Sequence, residues 1–186
     1  MFPAIFLDRD GVIIENRSDY VRDWSHVSIF PEAIRALSNS NIKNYKIVIV
    51  TNQSAVGRGI ISLGIAEDIN NHLVNSIRDQ NGRVDGAYIC PHGPANDCDC
   101  RKPKPGLLLQ AAKELSLDLR SSWMIGDAWS DIQAGQSAGV RGTIIVKTGR
   151  GSEQLLLPRP INVTDYLVCN DLSQAMNTII AHDHGL

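Results

Sequence analysis

Six short apolar runs alternate with longer stretches of helical period, and that alternation restricts the fold of this chain more than any other feature. The runs cover residues 4–7, 46–50, 86–89, 123–125, 142–146 and 166–169. They are short and mostly apolar, as expected of strands buried on both faces of a sheet. Helical segments lie between them. Residues 31–38 open with a proline suited to a first helical turn. Residues 62–79 carry Ile65, Ile69, Leu73 and Ile77 at every fourth position. Residues 107–115 and 131–138 follow, the second stopped by Gly139, and Asp171 is placed to cap a last helix through Ile180. This pattern predicts an α/β protein: a doubly wound, Rossmann-like parallel sheet with right-handed crossovers, in a single domain over residues 1–186. Residues 149–165, with Pro158 and Pro160, read as a surface loop.

Composition narrows the partners. With 186 residues, 43% hydrophobic and 20% charged, the chain can bury one sizeable core. A net charge of -2 offers no uniform basic field to a nucleic-acid backbone. No run approaches the roughly 18 apolar residues of a membrane helix. Met1-Phe2-Pro3 leads straight into the first apolar run without the charged region of a signal peptide. A cytoplasmic monomer is expected, with no nucleic-acid and no membrane partner. Thiols stay reduced in the cytoplasm, so the four cysteines need a role other than disulfides.

Asp8-Arg9-Asp10-Gly11 follows the first apolar run directly. Carboxylates at i and i+2 there reach the crevice at the carboxyl end of a strand, where open α/β sheets bind ligands. Such a pair can hold a divalent cation, or one member can act as nucleophile while the other handles protons. A calcium loop starting at Asp8 would need glycine where Ile13 stands and glutamate where Asp19 stands. A solvated Asp- and Gly-rich turn is the plainer alternative.

The other strand ends bear on that choice. The second run ends in Thr51-Asn52-Gln53-Ser54, and the fourth in Gly126-Asp127 with Asp131 beyond. Arg101-Lys102-Pro103-Lys104-Pro105-Gly106 precedes a helix. In a parallel sheet these ends share one rim, which gathers carboxylates, a hydroxyl, free N–H groups and a lysine. That set suits phosphoryl transfer through a carboxylate. In order and spacing, DRDGV, TNQS, RKPKPG and GDAWSD resemble the motifs of the haloacid dehalogenase superfamily, over nearly the whole chain. The resemblance implies that Asp8 is the nucleophile and Asp10 the proton donor and acceptor. It implies that Thr51 and Lys102 hold the phosphoryl oxygens. Mg²⁺ would be held by Asp8, the Asp10 carbonyl and Asp127, with Asp131 supporting its water shell or capping the following helix. Lys104 reads as a solvated charge.

Cys90, His92, Cys98 and Cys100 offer four zinc ligands within eleven residues. Each pair is separated by one residue, so each must sit on a turn. With every ligand drawn from protein, Zn²⁺ here is expected to be structural. Cys169 reads as a core cysteine, and His26, His72, His182 and His184 carry no assigned role. CPH followed by CDCRKP resembles the zinc-bearing branch of the superfamily, the D-glycero-D-manno-heptose-1,7-bisphosphate 7-phosphatases and the histidinol-phosphate phosphatases. There Arg101 would contact substrate.

The stretches between Asp8 and Thr51 and between Thr51 and Lys102 are too short for a cap domain once their helices and strands are subtracted. A capless enzyme must recognise its substrate through loops, and residues 16–21, 54–59 and the zinc loop are the candidates. Asp19, Asn52, Gln53, Ser54, Arg58 and Arg101 are the expected substrate-binding residues. A second phosphate calls for cations such as Arg58 and Arg101, which favours heptose 1,7-bisphosphate. Glu15 and Asp19 could instead hold the amine of histidinol phosphate. Another small phosphorylated metabolite, phosphoryl transfer rather than hydrolysis, and a catalytically inactive zinc-loop binding module are the remaining alternatives.

Overall fold

The computed structural model describes residues 1–183. The strands are β1 (Ala4–Leu7), β2 (Lys46–Asn52), β3 (Gly86–Cys90), β4 (Trp123–Gly126), β5 (Gly142–Val146) and β6 (Leu167–Cys169). The helices are α1 (Pro31–Leu37), α2 (Ser54–Gly57), α3 (Leu63–Asp79), α4 (Gly106–Glu114), α5 (Trp129–Ala138), α6 (Gly151–Gln154) and α7 (Leu172–Asp183). All strand pairs are parallel, in the order β3-β2-β1-β4-β5-β6.

Alternation along each strand builds a core on both faces of the sheet. Ile5, Leu7, Ile47, Ile49 and Ile125 pack in a cluster with Leu73 and Ile77 of α3 and Met176 and Ile179 of α7. Ala4, Phe6, Val48, Val50 and Met124 belong to a second cluster with Leu107, Leu108 and Ala111 of α4. Since β1 has β2 on one side and β4 on the other, the chain winds away from it in both directions. The carboxyl end of β1 is therefore the switch point at which such sheets open a crevice, and Asp8 follows it directly.

Several boundaries differ from the sequence reading. β2 continues through Thr51 and Asn52, which pair with Ile89 and Cys90. α5 begins at Trp129 rather than 131, with Asp131 in its first turn; its Oδ2 accepts the Ala128 N–H at 3.0 Å. Tyr166 precedes β6 and meets the Trp129 ring edge-on instead. Residues 149–165 are not wholly loop: α6 forms there, and Gln154 at its end accepts from the backbone and indole N–H of Trp129. Between β1 and β2 lie only α1 and two short 3-10 turns, and between β2 and β3 only α2 and α3. Among the described residues there is no cap. His184 lies outside the described residues.

Candidate active site

Asp8 stands at the centre of the rim. Its N–H donates to the Ile125 carbonyl (3.0 Å), so β4 fixes its backbone. Asp8 Oδ1 accepts from the Arg9 N–H (2.7 Å) and lies 2.9 Å from Lys102 Nζ. Lys102 is buried, donates to the Val50 carbonyl (2.7 Å) and pairs with Asp131 Oδ1 at 2.7 Å. Asp131 Oδ1 accepts no well-aligned hydrogen bond among the described residues, and its partner oxygen caps α5. Asp131 thus serves the helix end and the lysine together.

The end of β2 supplies the opposite wall. Gln53 Nε2 donates to Thr51 Oγ1 (2.8 Å) and to Asp10 Oδ2 (3.0 Å). The Thr51 hydroxyl, buried and accepting from Gln53, still has its own proton to donate. Asn52 exchanges two hydrogen bonds with the Lys102 backbone, at 3.0 and 3.1 Å. Both polar ends of its side chain are engaged there and tie the Lys102 loop to β2, and Asn52 also lines the cavity over Asp8 and Asp10.

Asp127 is held from two loops. Its Oδ2 accepts from Asn16 Nδ2 (2.6 Å) and from the Arg150 N–H (2.9 Å), while the Arg150 guanidinium lies 3.5 Å from Oδ1. Gly11 and Gly149 allow this convergence. Both have positive φ, and a Cβ on either would come within about 2.4 Å of Asp127 Oδ2. The sequence reading missed Asn16 and Arg150 as partners of Asp127. Arg150 follows the end of β5, on the rim all the strands share, so the strand-end rule could have found it.

Asp8, Asp127 and Asp131 are all buried, with carboxylate oxygens within 4.8 Å of one another. Burial pushes the Asp8 carboxyl up to about 7 against the pull of Lys102, with Asp131, Asp127 and Asp10 adding to the rise. Burial, then Asp131, also raises Asp127. Crowded buried carboxylates of this kind fit a divalent cation, which offsets their charge and lets them ionise.

The cysteine loop gathers a second ligand set. Cys90 ends β3, and Cys98 and Cys100 return to it. Cys90 Sγ lies 3.8 Å from Cys98 Sγ and 3.1 Å from Cys100 Sγ. His92 Nδ1 lies 3.6 and 3.2 Å from the sulfurs of Cys90 and Cys100. A tetrahedron with arms of about 2.3 Å has edges of about 3.8 Å, so these four atoms could close on one ion with small adjustment. Burial, then the Cys100 neighbour, pushes the Cys90 thiol up to about 12, so it needs a metal to become a ligand thiolate.

A cavity of about 770 Å³ opens over Asp8 and Asp10. Gln53, Ser54, Arg101 and Lys102 line it, as do Arg17, Lys104 and Arg150. Arg101 donates to the His92 carbonyl at 3.0 Å, which ties it to the cysteine loop. Lys104 is not simply solvated: it pairs with Asp97 at 2.9 Å. Two expected substrate-binding residues do not line this cavity. Arg58 is exposed at the C-cap of α2 and is not among the residues that line the cavity. Asp19 is exposed and paired with Arg17 (3.1 Å), so its charge is answered locally.

The chain is similar to known phosphatases in sequence and in fold. The HAD-hydrolase-like family model matches residues 99–175. The chain is 33% identical over 176 residues to the D-glycero-beta-D-manno-heptose-1,7-bisphosphate 7-phosphatase of Pseudomonas aeruginosa, covering 95% of this chain and 97% of the relative. It is 40% identical over 156 residues to the protein of that name from Pasteurella multocida, covering 81% and 84%. Among solved structures, the D,D-heptose 1,7-bisphosphate phosphatase from B. bronchiseptica, complexed with magnesium and phosphate, superposes with TM-score 0.88 at 29% identity. That likeness covers 97% of this chain and 99% of the other.

Proposed function

The chain belongs to the haloacid dehalogenase-like phosphatases, in the family of the D-glycero-beta-D-manno-heptose-1,7-bisphosphate 7-phosphatases, and from that premise we propose that it removes the C7 phosphate of the heptose bisphosphate by way of an aspartyl-phosphate. The observation that carries the reading is the strand-end cavity over Asp8, Asp10 and Lys102, with the buried carboxylates of Asp127 and Asp131 within 4.8 Å of that of Asp8.

Lys102 and the Arg9 N–H hold Oδ1 of Asp8, while Oδ2 accepts no hydrogen bond among the described residues and is the oxygen placed to attack phosphorus. As the new P–O bond forms, the bond to the sugar oxygen breaks, and Asp10 delivers a proton to that oxygen. Lys102 and the Thr51 hydroxyl hold the phosphoryl oxygens as charge builds on them. Water then attacks phosphorus and gives its proton to Asp10. The bond to Asp8 breaks, and phosphate leaves. Mg²⁺, held by Asp8, the Asp10 carbonyl and Asp127 with Asp131 beside its waters, would neutralise the phosphoryl oxygens and keep Asp8 ionised. Zn²⁺ on Cys90, His92, Cys98 and Cys100 would hold the loop that carries Arg101 and Lys102.

The cavity wall also supports a bisphosphate. Arg101 and Arg150 line it beyond the buried Lys102, as do Arg17 and Lys104, which are paired with Asp19 and Asp97. Of the two candidates for an amine, Asp19 is tied to Arg17, and neither it nor Glu15 lines the cavity. The reading extends to one phosphatase domain over residues 1–186, acting as a cytoplasmic monomer without nucleic-acid or membrane partners. No helix among the described residues is long and apolar enough to cross a membrane. The deciding experiment compares kcat/KM for heptose 1,7-bisphosphate and histidinol phosphate. Preference for the heptose by tenfold or more, about 1.4 kcal/mol at the transition state, is expected. Equal or reversed values would overturn the substrate.

A further inference from the structure

Arg9 stands between the two reactive carboxylates, yet its side chain does not face solvent. It is 1% exposed and heads the fully buried side chains by volume. A buried guanidinium is costly unless its donors are met, and an apolar side chain in its place is often as stable or more so. Stability alone therefore gives little reason for it.

Its partners suggest another reason. Nε donates to Asp10 Oδ2 at 3.2 Å, and NH2 reaches both Asp10 oxygens at 3.1 and 3.0 Å. This is a forked contact that fixes the plane of a carboxylate. NH1 donates to Asn70 Oδ1 at 2.8 Å. Asn70 is buried on α3, so it anchors the guanidinium to a helix packed on the core. Asp10 is the one carboxylate with which Arg9 pairs among the described residues, and it is 22% exposed at the cavity. The anchor runs from α3 through Asn70 and Arg9 to the group that must meet the leaving oxygen.

We propose that Arg9, braced by Asn70, is the positioning residue for Asp10, fixing the carboxylate where it gives a proton to the leaving oxygen and takes one from the attacking water. The proposal rests on the roles given above to Asp8 and Asp10. Arg9 borders the cavity but is 1% exposed, and its guanidinium is engaged by Asp10 and Asn70. Its effect passes through the geometry of one side chain, and misplacing such a group by about 1 Å can cost about 100-fold in rate.

The leaving group separates this role from a structural one. A nitrophenolate departs from phosphorus without a proton, whereas a sugar or glycerol alkoxide needs one. Arg9→Met, Arg9→Lys and Asn70→Ala are compared with the unmodified protein on p-nitrophenyl phosphate and glycerol phosphate. In Arg9→Met, kcat/KM for glycerol phosphate is expected to fall by about 100-fold, within the range that general acid–base catalysis supplies. The first turnover on the aryl phosphate should survive as a burst of nitrophenolate of up to one per chain. Slow turnover should follow, because water has lost its base while Asp8 is phosphorylated. Arg9→Lys should recover part of the alkyl activity, and Asn70→Ala should shift the alkyl-to-aryl ratio the same way by a smaller factor.

A parallel fall on both substrates with no burst would overturn the proposal, as would an unchanged ratio. If Arg9→Met does not fold, Asn70→Ala decides, since it leaves the Arg9–Asp10 fork in place and removes only its brace; an unchanged ratio there overturns the proposal. The two readings fail differently. Turnover by Asp8→Asn would sink the nucleophile assignment itself, whereas an inactive Asp8→Asn with an unchanged ratio in the Arg9 and Asn70 variants removes only the role of Arg9.

Discussion

The carboxylate cluster and the cysteine loop are both sets of would-be anionic ligands, and the fold builds them in opposite ways. Asp8, Asp127 and Asp131 sit beside strand ends whose preceding residues are buried in the sheet, and each is bonded to backbone or to a buried lysine. His92, Cys98 and Cys100 stand on a segment with no helix or strand between Cys90 and Gly106, held by turn hydrogen bonds such as Gly93 N–H to Asn96 Oδ1 and by Arg101 to the His92 carbonyl. In the first cluster the sheet sets the positions of the carboxylates and a metal would set only the charge. In the second a metal would have to set the positions, as in small zinc-organised folds.

The sharpest way to break this contrast is to change a ligand on each side. Asp8→Asn should keep the fold, since the amide still fits between Lys102 and the Arg9 N–H. It should abolish turnover by about four orders of magnitude or more, the scale on which removing a nucleophile acts. Phosphate release and a melting curve on the same sample check both halves. Residual turnover above background would remove Asp8 from its role.

Cys98→Ser should give the reverse profile. Zinc, expected at one per chain by metal analysis, should be lost. The apparent KM should rise by about 10- to 100-fold as Arg101 and Lys102 lose their placement, with the core helices unaffected by circular dichroism. No zinc in the unmodified protein, or unchanged kinetics in the variant, would leave the four ligands without a function.

That contrast also explains what the sequence made legible. Apolar runs of fixed period announce strands, and parallel strands bring their ends to one rim, so Asp8, Thr51, Lys102 and Asp127 could be grouped before any coordinates. Loops have no such period. Asn16 and Arg150 meet Asp127 from two separate loops, and Arg58, at the end of the four-residue helix α2, does not line the cavity. Arg9 was missed for a different reason. Nothing in Asp-Arg-Asp-Gly distinguishes a buried arginine from a solvated one, since burial is decided by α3, which follows some fifty residues later.

Magnesium and pH sharpen the comparison next. The Asp8 carboxyl rises from an ordinary 3.8 to about 7 in the metal-free fold, chiefly through burial. Between those values the folded protein holds a proton that the unfolded chain has released. Metal-free stability should therefore fall as pH rises through this window and level off above it. Binding Mg²⁺ displaces the proton, so its affinity should climb by up to about tenfold per pH unit toward pH 7 and flatten beyond. Thermal melts across pH, with and without Mg²⁺, test both trends. An affinity that does not change with pH would mean Asp8 is ionised without the metal.

The smallest effects concern the cavity wall, where strand-end reasoning and loop geometry disagree about one cation. Arg58 is exposed and off the wall, so Arg58→Ala should leave kcat/KM for heptose 1,7-bisphosphate within about twofold, the margin usual for a surface change. Arg150 lines the cavity with a half-exposed guanidinium, and its bond to Asp127 Oδ2 comes from the backbone N–H, which alanine keeps. Arg150→Ala therefore removes the charge without dismantling the carboxylate cluster. It should narrow the preference for the bisphosphate over the 7-monophosphate by about tenfold, or about 1.4 kcal/mol of transition-state binding. Measuring that preference in both variants decides which loop reads the second phosphate. A shift in Arg58→Ala with none in Arg150→Ala would return recognition to the loop after β2, with a substrate reaching well past the wall of this cavity.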